Sequence, residues 1–473
     1  MTGRAVVLGA GIAGLLAAAA LAEDFSTVVV IERDQLPDGP IDRRGIPQGR
    51  HLHSLLSRGT ATIEQLVPGF LADLTAAGAW VLDDANLSRI HMQTGPYVFN
   101  RTDTVTDPAA LTTYLATRPF IEFHLRRRVA RVAANVVILD GRDVSGLVAA
   151  QPDRITGVVV SDRTSGGSET LDADLIVDAT GRGARTSVLL EELGYERPSR
   201  RTFTAGGVYY SQTIALPGED TFPERLVLVL PNGDAGRGGL VVGESGTWTL
   251  TIAVRAGQKL PPPTGFDDMR QLAAHFLPAH IQPALDGARP LTDVSVYRYP
   301  GGVWHRYDQL TRHPRGLVVL GDALCCLDPI NGQGVTMAAL QASVLRTHVR
   351  KGTVDPEQFY RSLVPVIAPV WAANVPSGHT PARGWRQSVK RQARRWSSRK
   401  FLEAAEHDIV VTERLMRIAN LVDPPTRLLE PSLVVRVLAH HIRTAVAARG
   451  SKVRCGWPFR APASPAPRSG TTG

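Results

Sequence analysis

Ala5-Val6-Val7-Leu8-Gly9-Ala10-Gly11-Ile12-Ala13-Gly14, an apolar run from Leu15 to Leu21, then Val28-Val29-Val30-Ile31 and Glu32 read as strand, glycine turn, helix and second strand ending in an acid. A βαβ unit of this form points backbone N–H groups and the positive end of a helix dipole at a pyrophosphate. Gly9 serves the turn, Gly11 the close approach of a phosphate, and Gly14 the packing of helix on strand. Glu32 falls where a carboxylate holds an adenosine ribose hydroxyl, with Arg33 next to it. FAD and NAD share this fingerprint, and the acid at position 32 argues against NADP here.

Two more strand-to-helix junctions follow. Leu175-Ile176-Val177-Asp178-Ala179-Thr180-Gly181-Arg182-Gly183 ends a strand on an acid and a small-residue turn, with Thr186 and Ser187 as expected caps of the next helix. Leu317-Val318-Val319-Leu320-Gly321-Asp322 is another apolar strand ending in an acid. It leads through Asp328-Pro329 and Gly332-Gln333-Gly334 into a helix expected over 336–350. The unpaired N–H groups that open such a helix stabilise negative charge, as on the N1–C2 edge of a reduced flavin.

Between these junctions the pattern changes. Residues 42–53, Asp42-Arg43-Arg44-Gly45-Ile46-Pro47-Gln48-Gly49-Arg50-His51-Leu52-His53, form a loop feeding a helix over 54–66, with Arg43 or Arg44 as a second phosphate clamp. His51 and His53 lack a nearby carboxylate or thiolate partner and are expected to orient the loop rather than to bind metal. Irregular strands are expected over 79–97, and Thr117-Arg118-Pro119 opens a helix closed by Arg126 to Arg128. A strand over 136–139 and a hairpin over 145–150 and 155–160 come next. From 201 to 255 the period drops to two, giving antiparallel strands over 205–214, 226–230, 239–243 and 247–254, with turns at Asn232-Gly233 and Glu244-Ser245-Gly246. A helix over 267–276 and a strand over 293–299 complete this substrate wall. Helices are expected over 403–421 and 433–446, and the Pro-, Ser- and Gly-rich stretch 457–473 has little to bury.

At 473 residues, 43% hydrophobic and 21% charged, the chain suits two or three packed lobes. No apolar run approaches the ~20 residues of a membrane helix. The N-terminus leads straight into the first strand, so no signal peptide is expected, and three cysteines without framework or metal spacing suggest structural thiols in the cytoplasm. The net charge of +9 concentrates in Arg383, Arg386, Lys390, Arg391, Arg394, Arg395, Arg399 and Lys400, read as a solvated basic helix rather than a nucleic-acid surface. Trp385 and Trp396 in that run point to one face that packs or touches a ligand.

The three junctions in this order resemble the class A FAD-dependent monooxygenases, the aromatic hydroxylase and squalene-epoxidase superfamily, over roughly residues 4–350. Arg44-Gly45-Ile46-Pro47-Gln48 with His51 and His53, and Asp178-Ala179-Thr180-Gly181-Arg182-Gly183, are most similar to bacterial polyether-polyketide epoxidases and related tailoring oxygenases. The fold implied is α/β: a Rossmann-type, glutathione-reductase-like FAD domain with an inserted antiparallel-sheet substrate domain and a helical C-terminal region. The boundaries implied are 1–200 (substrate-side elements near 79–115), 201–300, 301–355 and 356–456, with a disordered tail over 457–473. The resemblance assigns FAD contacts to Gly9, Gly11, Gly14, Glu32, Arg33, Arg44, Arg118, Asp178, Gly181, Asp322, Pro329, Gly332, Gln333 and Gly334. Asp322 would hold the ribityl chain and Gly332 to Gly334 would face the isoalloxazine.

The resemblance also implies NAD(P)H as reductant, no metal and no catalytic side chain, the oxidant being the flavin C4a-hydroperoxide. Asp178-Ala179-Thr180-Gly181 replaces the Ala-Asp-Gly of aromatic hydroxylases and occurs too in geranylgeranyl reductases and flavin halogenases. An alkene needs no base whereas a phenol does, and no base stands out in the sequence, so alkene epoxidation of a lipophilic polyketide or terpenoid is the expected reaction. Aromatic hydroxylation, double-bond reduction and non-redox cyclisation are the alternatives. The expected partner is a lipophilic small molecule, with a separate flavin reductase or an acidic carrier protein as further candidates.

Overall fold

In the computed structural model, the described residues are 3–151, 153–204, 207–218, 221–230, 236–255, 258, 260–375 and 396–454. Arg4–Leu8 pairs in parallel with Thr27–Ile31 on one side and with Leu175–Asp178 on the other. Val136–Leu139 and Leu317–Val319 extend the sheet outward, so its spatial order is 317, 175, 4, 27, 136 by first residue. The inner strands are short unbroken apolar runs because both faces are covered, whereas the edge strand Val136–Leu139 leaves Val137 exposed. The helix Ile12–Leu21 lies against the sheet and against the later helix Gly334–Val349, with Leu15, Leu16, Ala17 and Leu21 fully buried. Burying each such leucine contributes about 1.5–3 kcal/mol.

The second layer is a mixed sheet of eight strands. Gly207–Ala215, Trp248–Arg255, Arg237–Val242 and Leu226–Leu230 run antiparallel in that spatial order, as their alternating pattern predicts. Ile90–Thr94, from far earlier in the chain, then pairs in parallel with Leu226–Leu230, and Ser295–Tyr299 flanks Gly207–Ala215. Strands that the sequence pattern did not mark complete two small sheets. Ser168–Asp172 adds a third strand to the hairpin Arg142–Gln151 and Arg154–Asp162, and Ser199–Phe203 pairs with Gly302–Arg306, which pairs with Cys325–Cys326.

Three further expectations need correction. Residues 403–421 are not one helix: 396–405 are helical, and Ile409–Ala419 starts anew where the Asp408 carboxylate accepts from Val410 N at 3.0 Å, an N-cap that outcompetes continuation. The helix Thr186–Glu192 carries no side-chain cap, because the Thr186 hydroxyl is drawn back to Asp178 Oδ2. Trp396 is 61% exposed and so does not pack one face of the basic run. Arg399 and Lys400 in that run pair with Glu403, while Arg383 to Arg395, Trp385, Asn232-Gly233 and the tail 457–473 lie outside the described residues. Among the described residues no helix is long and apolar enough to cross a membrane.

Candidate active site

The C-terminal ends of three parallel strands converge, and each carries one of the glycine junctions. Gly9, at φ +95°, is in contact with the second junction, since a Cβ there would meet Ala179 O at 2.8 Å. A Cβ on Gly321 would lie 2.8 Å from Ala13 Cβ, which places the third junction on the first helix. Gly14 allows that helix to sit on the turn: a Cβ there would stand 1.8 Å from Gly9 O. Above Gly11, by contrast, the first atom a Cβ would meet is Ile46 Cδ1 at 3.9 Å, so this side of the turn is open. The helix Ile12–Leu21 has no side-chain cap, and its leading N–H groups face that opening.

Glu32 sits beside this turn, 6% exposed, accepting from Ala10 N at 2.8 Å and from Asp34 N at 3.0 Å. The guanidinium of Arg43 lies 3.1 Å from Glu32, 3.3 Å from Asp34 and 2.7 Å from Glu122. Arg43, not Arg44, is thus the inward-facing cation, and Arg33 and Arg44 are both exposed. Arg118 is buried at the start of its helix, capped by Thr117, and its Nη1 lies 2.8 Å from Glu122 Oε2. The two atoms are not aligned, and both are buried without a hydrogen bond. A guanidinium nitrogen with no aligned acceptor, in a pocket shared with the Ile46 that stands across from Gly11, fits an anionic phosphate.

Asp178 is fully buried and spends its carboxylate on Thr180 N at 2.9 Å and on the hydroxyls of Thr180 and Thr186. In this structure it organises the Thr180-Gly181 turn, and its carboxyl is raised by burial despite those bonds. Arg182, which the sequence reading passed over, donates to Gly301 O at 2.8 Å and Cys326 Sγ at 3.2 Å and lies over the Tyr299 ring at 5.1 Å. Asp322 is pushed up from the ordinary carboxylate range by burial, which Arg182 and Arg118 oppose. A partly buried acid between two cations is suited to accepting from a polyol hydroxyl.

The turn after Asp328-Pro329 is left-handed at Gly332, φ +62°, and the helix Gly334–Val349 opens there without a side-chain cap. Pro329 and Gly334 are exposed, whereas Gln333 is buried and accepts from Asn374 Nδ2 at 2.9 Å. Asn331 donates to Asn374 Oδ1 at 2.7 Å, so the helix Pro356–Asn374 ties down this turn.

The broad sheet meets the same turn through Tyr209, whose hydroxyl donates to Asp328 Oδ1 at 2.7 Å, with Ile330 N donating to the same oxygen at 3.1 Å. Tyr209, Tyr297 and His51 form an aromatic cluster with ring centroids 5.6–6.3 Å apart. His51 Nδ1 is 2.7 Å from Ser211 Oγ, which is 2.7 Å from Thr251 Oγ1. His53 Nδ1 is 2.8 Å from His51 O, so both imidazoles orient the loop, and burial lowers each to about 4. None of Tyr209, Tyr297, Ser211, Thr251, Glu122 or Asn374 was singled out from sequence. The only local signal is Glu122 four residues after Arg118, the spacing of a helical ion pair.

Comparison with known proteins agrees with this geometry. Residues 5–187 match the family model described as FAD dependent oxidoreductase. Protein Rv3254 of Mycobacterium tuberculosis is 36% identical over 463 residues, covering 94% of this chain and 96% of that protein. Among solved structures, p-nitrophenol 4-monooxygenase PnpA from Pseudomonas putida superposes with a TM-score of 0.61 at 17% identity, covering 89% of this chain and 98% of that one. PqsL of P. aeruginosa, solved in complex with 2-aminobenzoylacetate, does so with a TM-score of 0.60 at 18% identity, covering 84% and 100%. The chain therefore belongs to one family with Protein Rv3254, matches the FAD dependent oxidoreductase model over residues 5–187, and is built on the fold that flavin-dependent monooxygenases share.

Proposed function

We propose that this protein is an FAD monooxygenase that uses NAD(P)H and dioxygen to epoxidise an alkene in a lipophilic polyketide or terpenoid. The observation that carries the reading is the Tyr209–Asp328 hydrogen bond, which joins the substrate sheet to the Gly332–Gly334 turn. When bound, the flavin supplies the electron transfer and oxygen activation. Arg118 and the N–H groups following Gly11 would hold the pyrophosphate, Glu32 the adenosine ribose and Asp322 the ribityl chain. The N–H groups opening the helix Gly334–Val349 would face the ring edge where charge develops. Tyr209, Tyr297 and His51 would wall the substrate and exclude water, which is what alkene transfer asks of the protein.

A second reading, hydroxylation of a phenolic ring, is favoured by His51. Its imidazole packs with the Tyr209 and Tyr297 rings and its Nδ1 is held by Ser211, in the wall a phenolic ring would contact. PnpA and PqsL, by their names and bound molecule, also handle aromatic compounds.

The test is to purify the protein, record its visible spectrum, and follow NAD(P)H oxidation and oxygen uptake with polyene and phenolic substrates. An oxygen-dependent product one oxygen atom heavier supports the proposal, and the substrate that reacts separates the two readings. A colourless protein that takes up no FAD sinks it. Anaerobic double-bond reduction, or a product of unchanged mass, identifies a reductase or a cyclase instead. Tyr209→Phe is expected to lower kcat/KM about tenfold, the scale of one hydrogen bond to a charged group, and to raise peroxide release per NAD(P)H.

A further inference from the structure

His91, Glu224 and His280 are far apart in sequence and meet on the broad sheet, where one donor atom from each lies within 4.8 Å of the others. We propose that these three residues form a divalent-cation site of the kind that Zn²⁺ fills, stapling the substrate lobe together. His91 lies on Ile90–Thr94, Glu224 just before Leu226–Leu230, and His280 on the short turn Ala279–Ile281. A bound ion would thus cross-link three separate segments of chain.

The second observation is the state of Glu224. Its side chain is 0% exposed; Oε1 accepts from Arg101 and lies 3.1 Å from His280 Nε2, but Oε2 is buried without any hydrogen-bond partner. Buried carboxylate oxygens are normally satisfied, so this one is left over for a cation. Two imidazoles and a carboxylate make a three-ligand zinc set, with the fourth position left to water. His91 is 5% exposed, and Gln93 Oε1, 3.2 Å from its Nε2, orients the ring. The His280 side chain is 45% exposed, which leaves the ion a route in from solvent.

Tetrahedral Zn²⁺ at about 2.0–2.1 Å from each ligand needs donors roughly 3.3 Å apart, so the three must draw together by up to about 1.5 Å. His280, on a short surface turn, is the member free to move. Arg101 opposes a dication by its charge, yet it occupies Oε1 and leaves Oε2 open, the arrangement of a ligating carboxylate held by an outer hydrogen bond.

Register places the site away from the flavin. His91 pairs with Val227 and so shares a sheet face with Leu240 and Gly238, where a Cβ on Gly238 would meet Leu277. The opposite face carries Gly239, where a Cβ would meet Leu52 beside His51. The ion is therefore structural and independent of the reaction proposed above.

The test is zinc titration by calorimetry and metal analysis of untagged, full-length, flavin-loaded protein after EDTA treatment, with Co²⁺ absorption as a check on coordination. One Zn²⁺ per chain, a higher Tm and tetrahedral Co²⁺ bands are expected. His280→Ala, a surface change, and Glu224→Gln should each weaken binding at least about tenfold, with the flavin spectrum unchanged. Failure of the wild-type protein to take up Zn²⁺, or undiminished binding by His280→Ala, overturns the proposal.

Discussion

The five-stranded parallel sheet and the eight-stranded mixed sheet reach stability by different routes. In the parallel sheet, Val6, Val7, Val28, Val30, Ile176, Val177 and Val318 are all fully buried, and the chemistry sits only at the strand ends. In the mixed sheet, buried and half-buried positions share strands such as Gly207–Ala215 and Trp248–Arg255, and Tyr209, Ser211 and Thr251 carry polar groups within the strands themselves. The first sheet is a frame that presents loops, whereas the second is itself a wall of the site. Substitutions at the frame's turns should therefore act on folding and cofactor retention, and substitutions in the wall on turnover.

The largest test of this division is Gly14→Ala. A Cβ 1.8 Å from Gly9 O forces helix and turn apart at backbone atoms that cannot yield, at a cost of ~3 kcal/mol or more. Flavin content and melting temperature should both fall sharply; a flavin-replete, equally stable variant would break the comparison.

Next is Arg118→Met, expected to weaken FAD binding about 10- to 100-fold, the worth of a charge-assisted hydrogen bond. Fluorescence titration of deflavinated protein measures it, with exposed Arg44→Met as the contrast at roughly twofold or less.

The pH response is shared by both regions, because His51 and His53 sit where they meet. Each is held at about 4 against 6.5 for the free group, so the unfolded chain takes up protons first. Stability from this source is complete above about pH 6.5 and falls as pH drops toward 4. His51→Gln should flatten the dependence of Tm on pH in that window.

The smallest effect is expected for Gly239→Ala, whose Cβ would meet the flexible side-chain ends Leu52 Cδ1 at 2.6 Å and Leu228 Cδ2 at 3.2 Å, with backbone Val227 O at 3.4 Å. Its Tm should correspond to a change within about 1 kcal/mol, while KM for the substrate shifts if the wall governs binding. A loss as large as that of Gly14→Ala would show the wall to be as unyielding as the frame.

The same contrast explains which residues could be read in advance. The strand 136–139 and the helix opening at Arg118 stand where the sequence predicts them, because apolar run length, a Thr117 cap and Pro119 are local signals. Arg43 and Arg44 are neighbours of identical chemistry, and only the packing of the loop against Glu122 turns one inward. Asp178 looks like a ligand from its position at a strand end, yet two threonines eight or fewer residues away satisfy it first. Asp408 breaks a helix that amphipathic spacing alone would continue.

By itself the sequence determined the βαβ unit, its two sister junctions and the alternation of the inserted sheet, since each rests on contacts among residues close along the chain. Only the tertiary structure decided that Ile90–Thr94 joins that sheet in parallel, that Tyr209 reaches Asp328, and that His91 meets Glu224 and His280. Those pairings join residues from 119 to 189 positions apart, or bring in strands whose own pattern names no partner. Their geometry follows from how two buried sheets pack, which no local spacing encodes.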